Sequence, residues 1–230
     1  MKKQLLLLVM MLFPMMTWAD PVDIDGIYYN LVSKVKQAEV TSNSKNYSGA
    51  VVIPESVTYN GVNYSVTSIG HQAFRNCSGL TSVTIPNSVT DIGGAAFYGC
   101  SSLTSVSIPN SVTNIGSSAF CLCTGLNSVS LPNSVTKIDD FVFEKCTSLT
   151  SITIPNNVTT IGDLAFYGCS SLTSLIIPNS VTRIGYRVFT KCTSLSSVTI
   201  PNSVTSIGYE TFWGCTSLTS ITIPNSVTTL

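Results

Sequence analysis

Leu80-Thr81-Ser82-Val83-Thr84-Ile85-Pro86-Asn87-Ser88-Val89-Thr90-Asp91-Ile92-Gly93, followed at a short distance by Ala96-Phe97-Tyr98-Gly99-Cys100, is one unit of a pattern that fills most of this 230-residue chain. Units begin at Leu80, Leu103, Leu126, Leu149, Leu172, Leu195 and Leu218, a step of 23 residues. Seven cysteines keep that step from Cys77 to Cys215, seven prolines from Pro86 to Pro224, and seven phenylalanines from Phe74 to Phe212. A fixed period in the twenties is the mark of a solenoid, in which each coil packs only on its neighbours. One coil cannot bury enough apolar surface to fold alone, so stability must come from stacking.

Within the unit, Ser82–Ile85 alternates polar and apolar residues and reads as a short strand with Val83 and Ile85 turned inward. Pro86 has no N–H to give to a ladder, so it ends the strand, and Pro-Asn makes the turn. Val89 and Ile92, three apart, lead to Ala96 and Phe97 and fit an irregular or short-helical return segment. Glycine follows the isoleucine at 70, 93, 116, 162, 185 and 208, and Asp139 stands in its place once. That combination predicts a positive φ, which glycine adopts freely and aspartate tolerates. Leu, Val, Ile, Val, Ile, Ala, Phe and Cys of each unit form the expected core.

Residues 1–19 differ from all that follows. Lys2 and Lys3 precede an apolar run from Leu5 to Met16, and Thr17-Trp18-Ala19 offers small residues at a cleavage point, which is the pattern of a secretory signal cut after Ala19. Residues 20–47, with the tight turn Ile24-Asp25-Gly26-Ile27, are expected to form a β-rich cap. Residues 48–79 read as a stretched first repeat whose extra stretch carries a hairpin at Asn60-Gly61. Residues 80–230 are the regular repeats, the last one incomplete. Leu230 falls in an isoleucine slot, and an open last coil offers strand edges for pairing with another molecule.

The spacing Leu80-x-x-Val83-x-Ile85 matches the leucine-rich repeat pattern. The longer motif, Ile-Pro-Asn-Ser-Val-Thr, then Ile-Gly-x-x-Ala-Phe, then Cys, resembles the BspA-type leucine-rich repeat of bacterial surface proteins. The resemblance covers residues 48–230. It implies a right-handed solenoid of 23-residue coils, with a parallel β-sheet on the concave face, an irregular or short-helical convex side, and an N-terminal β-hairpin cap. It also implies a secreted or surface-displayed, adhesin-like protein with a partner such as a host matrix protein.

Composition excludes several functions. Lys and Arg number 11 against 11 Asp and Glu, with no basic run, so there is no footprint for nucleic acid. Once the leader is removed, no segment is long and apolar enough to insert in a membrane. The cysteine column has one thiol per coil with apolar neighbours, unlike the clustered pairs of a metal site, and is read as core. Cys121, out of register in a slot held elsewhere by Arg75, Tyr98, Glu144, Tyr167, Thr190 and Trp213, is read as a surface thiol. His71 is the sole histidine and sits in a variable slot. No catalytic group and no cofactor is expected, and the chain is read as a non-enzymatic binder of an extracellular protein or glycan.

Two faces are candidates for that binding. The outward strand positions Ser82, Thr84, Ser105, Ser107, Ser128, Ser130, Ser151, Thr153, Ser174, Ser197 and Thr199 make a broad uncharged hydroxyl field, interrupted by Ile176. On the return side, Tyr98, Tyr167, Tyr186, Arg187, Tyr209 and Trp213, beside Arg183 and Lys191, have the aromatic-plus-arginine composition of protein interfaces. A structural role, with chains stacking through the uncapped last coil, is the alternative from another class.

Overall fold

The computed structural model describes residues 20–44 and 46–229. Residues 1–19, where a leader is expected, and Leu230 lie outside the described residues. The chain opens with strands β1 (Val22–Ile24), β2 (Ile27–Val32) and β3 (Gln37–Thr41). Asp25 and Gly26, both at positive φ, close the first hairpin, and Asp23 Oδ1 accepts the Gly26 amide at 2.9 Å. Next come β4 (Gly49–Val52), β5 (Ser56–Tyr59) and β6 (Val62–Ile69). The β5–β6 hairpin turns at Asn60-Gly61, also at positive φ. β3 runs parallel to β6 and so joins the N-terminal meander to the array.

From there each coil passes between a front face, whose short strands pair in twos, and a return face. The front strands are β7 (Leu80–Thr84), β9 (Ser105–Ser107), β11 (Ser128–Ser130), β14 (Ser174–Ile176) and β16 (Ser197–Thr199). The return strands are β8 (Asp91–Ile92), β10 (Asn114–Ile115), β12 (Lys137–Ile138), β13 (Thr160–Ile161), β15 (Arg183–Ile184) and β17 (Ser206–Ile207). Every ladder within the array is parallel and pairs residues 23 apart, as in Ser128 with Ser105 and Ile115 with Ile92. The return side is therefore made of short parallel strands followed by hydrogen-bonded turns, with no helix among the described residues. This corrects the short-helical expectation. Val89 and Ile92 point inward from an extended segment, and inter-coil bonds hold that segment more firmly than one helical turn would.

Like residues stack on like. The rings from Phe74 to Phe212 form one near-parallel column with neighbouring centroids 5.0–5.7 Å apart. Tyr47, buried and tilted 50° to Phe74, ends that column on the N-terminal side. Its hydroxyl donates to the Thr41 carbonyl at 2.6 Å and accepts the Tyr28 amide at 3.0 Å, which ties the meander to the first coil.

The glycine column has a different cause from the one expected. Gly70, Gly93, Gly116, Gly162, Gly185 and Gly208 are outside the left-handed region. Each sits where the chain touches the coil before it: a Cβ on Gly93 would stand 2.6 Å from the His71 amide nitrogen. Close approach, not a positive φ, demands glycine here. Asp139 accordingly does damage. The return ladder runs unbroken from β1 through β10, stops, and resumes as a separate sheet from β12. Thr113 donates its amide to Thr90 and Thr159 to Thr136, both at 2.9 Å, but the corresponding bond at Thr136 is missing. Positive φ instead occupies two other columns, one without glycine through Gln72, Ala95, Ser118, Phe141, Leu164, Arg187 and Glu210, the other through Asn76, Gly99, Leu122, Lys145, Gly168, Lys191 and Gly214.

Candidate functional site

The thiol column is structural in a specific way. From Cys100 to Cys215 each Sγ of the column donates to the carbonyl of the phenylalanine 26 residues earlier, as in Cys100 to Phe74 at 3.0 Å and Cys169 to Phe143 at 3.1 Å, whereas Cys77 Sγ accepts the Tyr47 amide at 3.3 Å. Burial pushes these thiols up, Cys123 and Cys192 to about 12, so they stay neutral and poorly nucleophilic. Cys121 is not the surface thiol its slot suggested. It is buried, with Sγ 3.5 Å from Glu144 Oε2, and burial together with the Glu144 charge pushes it up to about 12. Cysteine is small and apolar enough to fold under the longer side chain of the next coil. Among the described residues no group of three His, Cys, Asp or Glu could hold a metal ion.

The front face is as the alternation required. Ser82, Thr84, Ser105, Ser107, Ser128, Ser130, Ser151, Thr153, Ser174, Ser197 and Thr199 are all exposed. Ile176, 76 % exposed, breaks the hydroxyl field. No charge lies among these positions. Near the Pro-Asn turns, Ile85, Ile108 and Leu131 with Asn87, Asn110 and Asn133 border a shallow groove of about 620 Å³.

The return face is chemically richer and unevenly so. Tyr98 stands apart, with only the Arg75 guanidinium over its ring at 5.2 Å. Tyr167, Arg187 and Trp213 converge around Lys191, which sequence reasoning placed nearby without giving it a role. Lys191 Nζ lies 5.7 Å from the Tyr167 centroid and 5.6 Å from that of Trp213, a cation between two aromatic faces. Arg187 Nε donates to Glu210 Oε2 at 2.7 Å. Tyr209 also donates to Glu210, and with Arg187 it holds that carboxyl below its ordinary value, while the Tyr209 phenol is raised by giving up its freedom to ionise beside the carboxylate. Tyr167, Arg187, Thr190, Lys191, Glu210 and Trp213 line a recess of about 360 Å³. Tyr186 and Tyr209 flank an adjoining recess beside Arg183. Trp213, Tyr209 and Tyr186 are 58 %, 64 % and 54 % exposed.

The register explains the convergence. Tyr167, Thr190 and Trp213 share one column, Arg187 and Glu210 a second, and Lys191 a third that alternates with glycine, so its stem lies against Gly214. A family model described as the BspA-type leucine-rich repeat region matches residues 54–171 and 115–230. The chain belongs to the BspA-type leucine-rich repeat family. Its fold is similar to a leucine-rich cell-surface protein of Faecalibacterium prausnitzii A2-165, with TM-score 0.64 and 30 % identity over 92 % of this chain and 72 % of that one. It is also similar to the leucine-rich repeat protein of T. pallidum, with TM-score 0.54 and 29 % identity over 86 % and 79 % of the two chains. No curated protein sequence matches. Leucine-rich repeat proteins are in general non-enzymatic binding or scaffold proteins, and these likenesses indicate no catalytic relative. Glu210 is the site residue that the sequence did not single out, and Lys191 was placed beside the aromatics without a role. The signal for both was the 23-residue offset, which places Glu210 beside Arg187 and Lys191 beside Gly214.

Proposed function

We propose that this chain is a secreted or cell-surface, non-enzymatic, adhesin-like protein that engages an extracellular protein or glycan through its return face, around Trp213. Two things support an extracytoplasmic place: the leader pattern at residues 1–19 and the cell-surface naming of the F. prausnitzii protein. The observation that carries the choice of face is the crowding of three exposed aromatic rings with Arg183, Arg187 and Lys191 on coils of a chain that is only 10 % charged. Large amphipathic rings beside arginine supply contact area at low entropy cost and dominate binding hot spots. The front hydroxyls solvate a strand face and offer no such anchor.

The test is capture of extracellular matrix and mucin fractions on the immobilised protein. Trp213→Ala should weaken capture by about 2 kcal/mol or more, a hot-spot loss, while Ser151→Lys combined with Thr153→Lys should leave it unchanged. Capture lost in the lysine variant and kept in Trp213→Ala would move the function to the front face. Capture kept by both would remove both faces.

A further inference from the structure

The recess around Lys191 has more shape than a flat docking patch needs. Tyr167 and Trp213 stand two coils apart in one column and share a single ammonium at 5.7 and 5.6 Å. Between them the column drops to Thr190, which is small, 2 % exposed, and already satisfied by donating to the Glu210 carbonyl at 2.5 Å. The gap between the rings therefore has a floor. Its side is closed by the Arg187–Glu210 pair, which engages the guanidinium through Nε and leaves the two Nη groups free for a ligand. At about 360 Å³ the recess, though open to solvent, has room for one sugar ring.

The chemistry narrows the occupant. Two ring faces present negative quadrupole to whatever lies between them, and Lys191 fills that role in the free protein. A ligand that takes its place must offer electropositive C–H surface and must also give the displaced ammonium a partner. Glu210 cannot serve, because Arg187 and Tyr209 already hold it. An aromatic side chain would strip Lys191 of its rings and offer no anion in return. A sugar ring with a carboxylate offers both. Building on the reading that this is the binding face, we infer that the recess is a subsite for a carboxylated pyranose, a uronate or sialate residue of a glycan. Its C–H face lies between Tyr167 and Trp213, and its carboxylate is taken by Lys191 and the Arg187 Nη groups. Charge-assisted, forked recognition of a carboxylate is what a guanidinium does well.

The experiment is calorimetric titration and saturation-transfer NMR on the full chain with two matched pairs: methyl β-glucuronide against methyl β-glucoside, and 3′-sialyllactose against lactose. The acidic member of at least one pair should bind about tenfold or more tightly than its neutral partner, the worth of one charge-assisted contact. Arg187→Gln and Lys191→Gln should each remove that preference. Ser151→Lys with Thr153→Lys should preserve it. The wild-type comparison needs no variant to fold, and both substituted positions are exposed, so circular dichroism identical to wild type is expected. Equal binding of acidic and neutral sugars would overturn the carboxylate assignment. Absence of sugar binding alongside Trp213-dependent capture of matrix protein would sink the subsite and leave the binding face standing. Absence of both would sink the two together.

Discussion

The coils before Asp139 and the coils after it are built from the same repeat and are not the same object. In the first, the return ladder is continuous from the N-terminal meander to Asn114–Ile115, and the stacked rings Phe74, Phe97 and Phe120 are 5.0–5.2 Å apart. In the second, the ladder restarts at Lys137–Ile138 and ring spacings are 5.5–5.7 Å from Phe120 onward. The outer slots differ as well. Gly94 and Ser117 give way to Asp140 and Asp163, whose carboxylates accept the next coil's amides at 2.7 and 2.9 Å, and then to Tyr186 and Tyr209. The interior is held constant while surface chemistry collects in one half. A repeat whose core and backbone bonds carry stability leaves its outward slots free to vary, and here that freedom has been used C-terminal to the seam.

The largest effect should spare neither half, because the thiol column crosses the seam. A thiol raised to about 12 in the folded chain ionises near 9 once unfolded. Below pH 9 both states are protonated and the contribution is intact. As pH climbs from about 9 toward 12 the unfolded state alone loses protons, so stability falls by about 1.4 kcal/mol per pH unit for each such cysteine. Alkaline titration followed by circular dichroism should show a steep loss above pH 9 common to probes in both halves. A flat response to pH 11 would contradict the buried column.

Next in size is truncation of a ring. Phe97→Ala and Phe166→Ala should each cost about 3–5 kcal/mol in chemical denaturation, since both rings are fully buried. The N-terminal variant should be the worse of the two, because its neighbours are closer and lose more contact. The reverse order would mean that the seam does not loosen the C-terminal coils.

Much of this was legible from residues alone. Three in-register columns fixed the coil, the inward set and the exposed hydroxyl face, because apolar alternation and a proline stop leave few other readings. The glycine column was misread because a glycine at a fixed slot is equally the answer to a positive φ and to a backbone pressed against it. Only the neighbouring coil decides between them. Cys121 was misread because its slot varies in size and polarity, and nothing local says that Glu144 of the next coil covers it. The aromatic site was half visible: its residues were named one by one, but that Tyr167 and Trp213 share Lys191 depends on Thr190 leaving a gap between them. Tyr47 escaped notice because it precedes the regular register.

The seam can be moved and it can be healed. Gly93→Asp places a Cβ against the His71 amide and should open the ladder between its coil and the first. The expected cost is about 1–3 kcal/mol, with faster hydrogen exchange at the Thr90 amide, now bonded to Thr67 at 2.9 Å. The reciprocal change, Asp139→Gly, should restore the bond from the Thr136 amide and the one from the residue-139 amide to the Ile115 carbonyl, whose counterpart Gly116 to Ile92 stands at 2.8 Å, at about 1 kcal/mol each. Glycine's extra chain entropy and the loss of the partly exposed Lys137–Asp139 pair at 3.1 Å offset part of that. A net gain of about 1 kcal/mol or less, with new protection at Thr136, is the expected result. Protection at Thr136 already present in the wild type would mean that no seam exists.

The smallest change separates the two reasons a backbone asks for glycine. Ala95 and Gly93 lie two residues apart, yet Ala95 carries φ +53 while Gly93 is outside the left-handed region and pressed on the coil before it. Exchanging their residue types should therefore have opposite effects. Gly93→Ala destabilises by forcing coils apart. Ala95→Gly relieves left-handed strain, worth about 1–2 kcal/mol for a residue with a Cβ, less the entropy that glycine adds to the unfolded chain. A gain of about 0.5–1 kcal/mol in denaturant midpoint at constant m-value is expected. The same substitution at Leu164, φ +54, lies beyond the seam and should give the same sign if the positive-φ column belongs to the repeat rather than to one half. Opposite signs at Ala95 and Leu164 would show that the two halves differ in backbone as well as in surface.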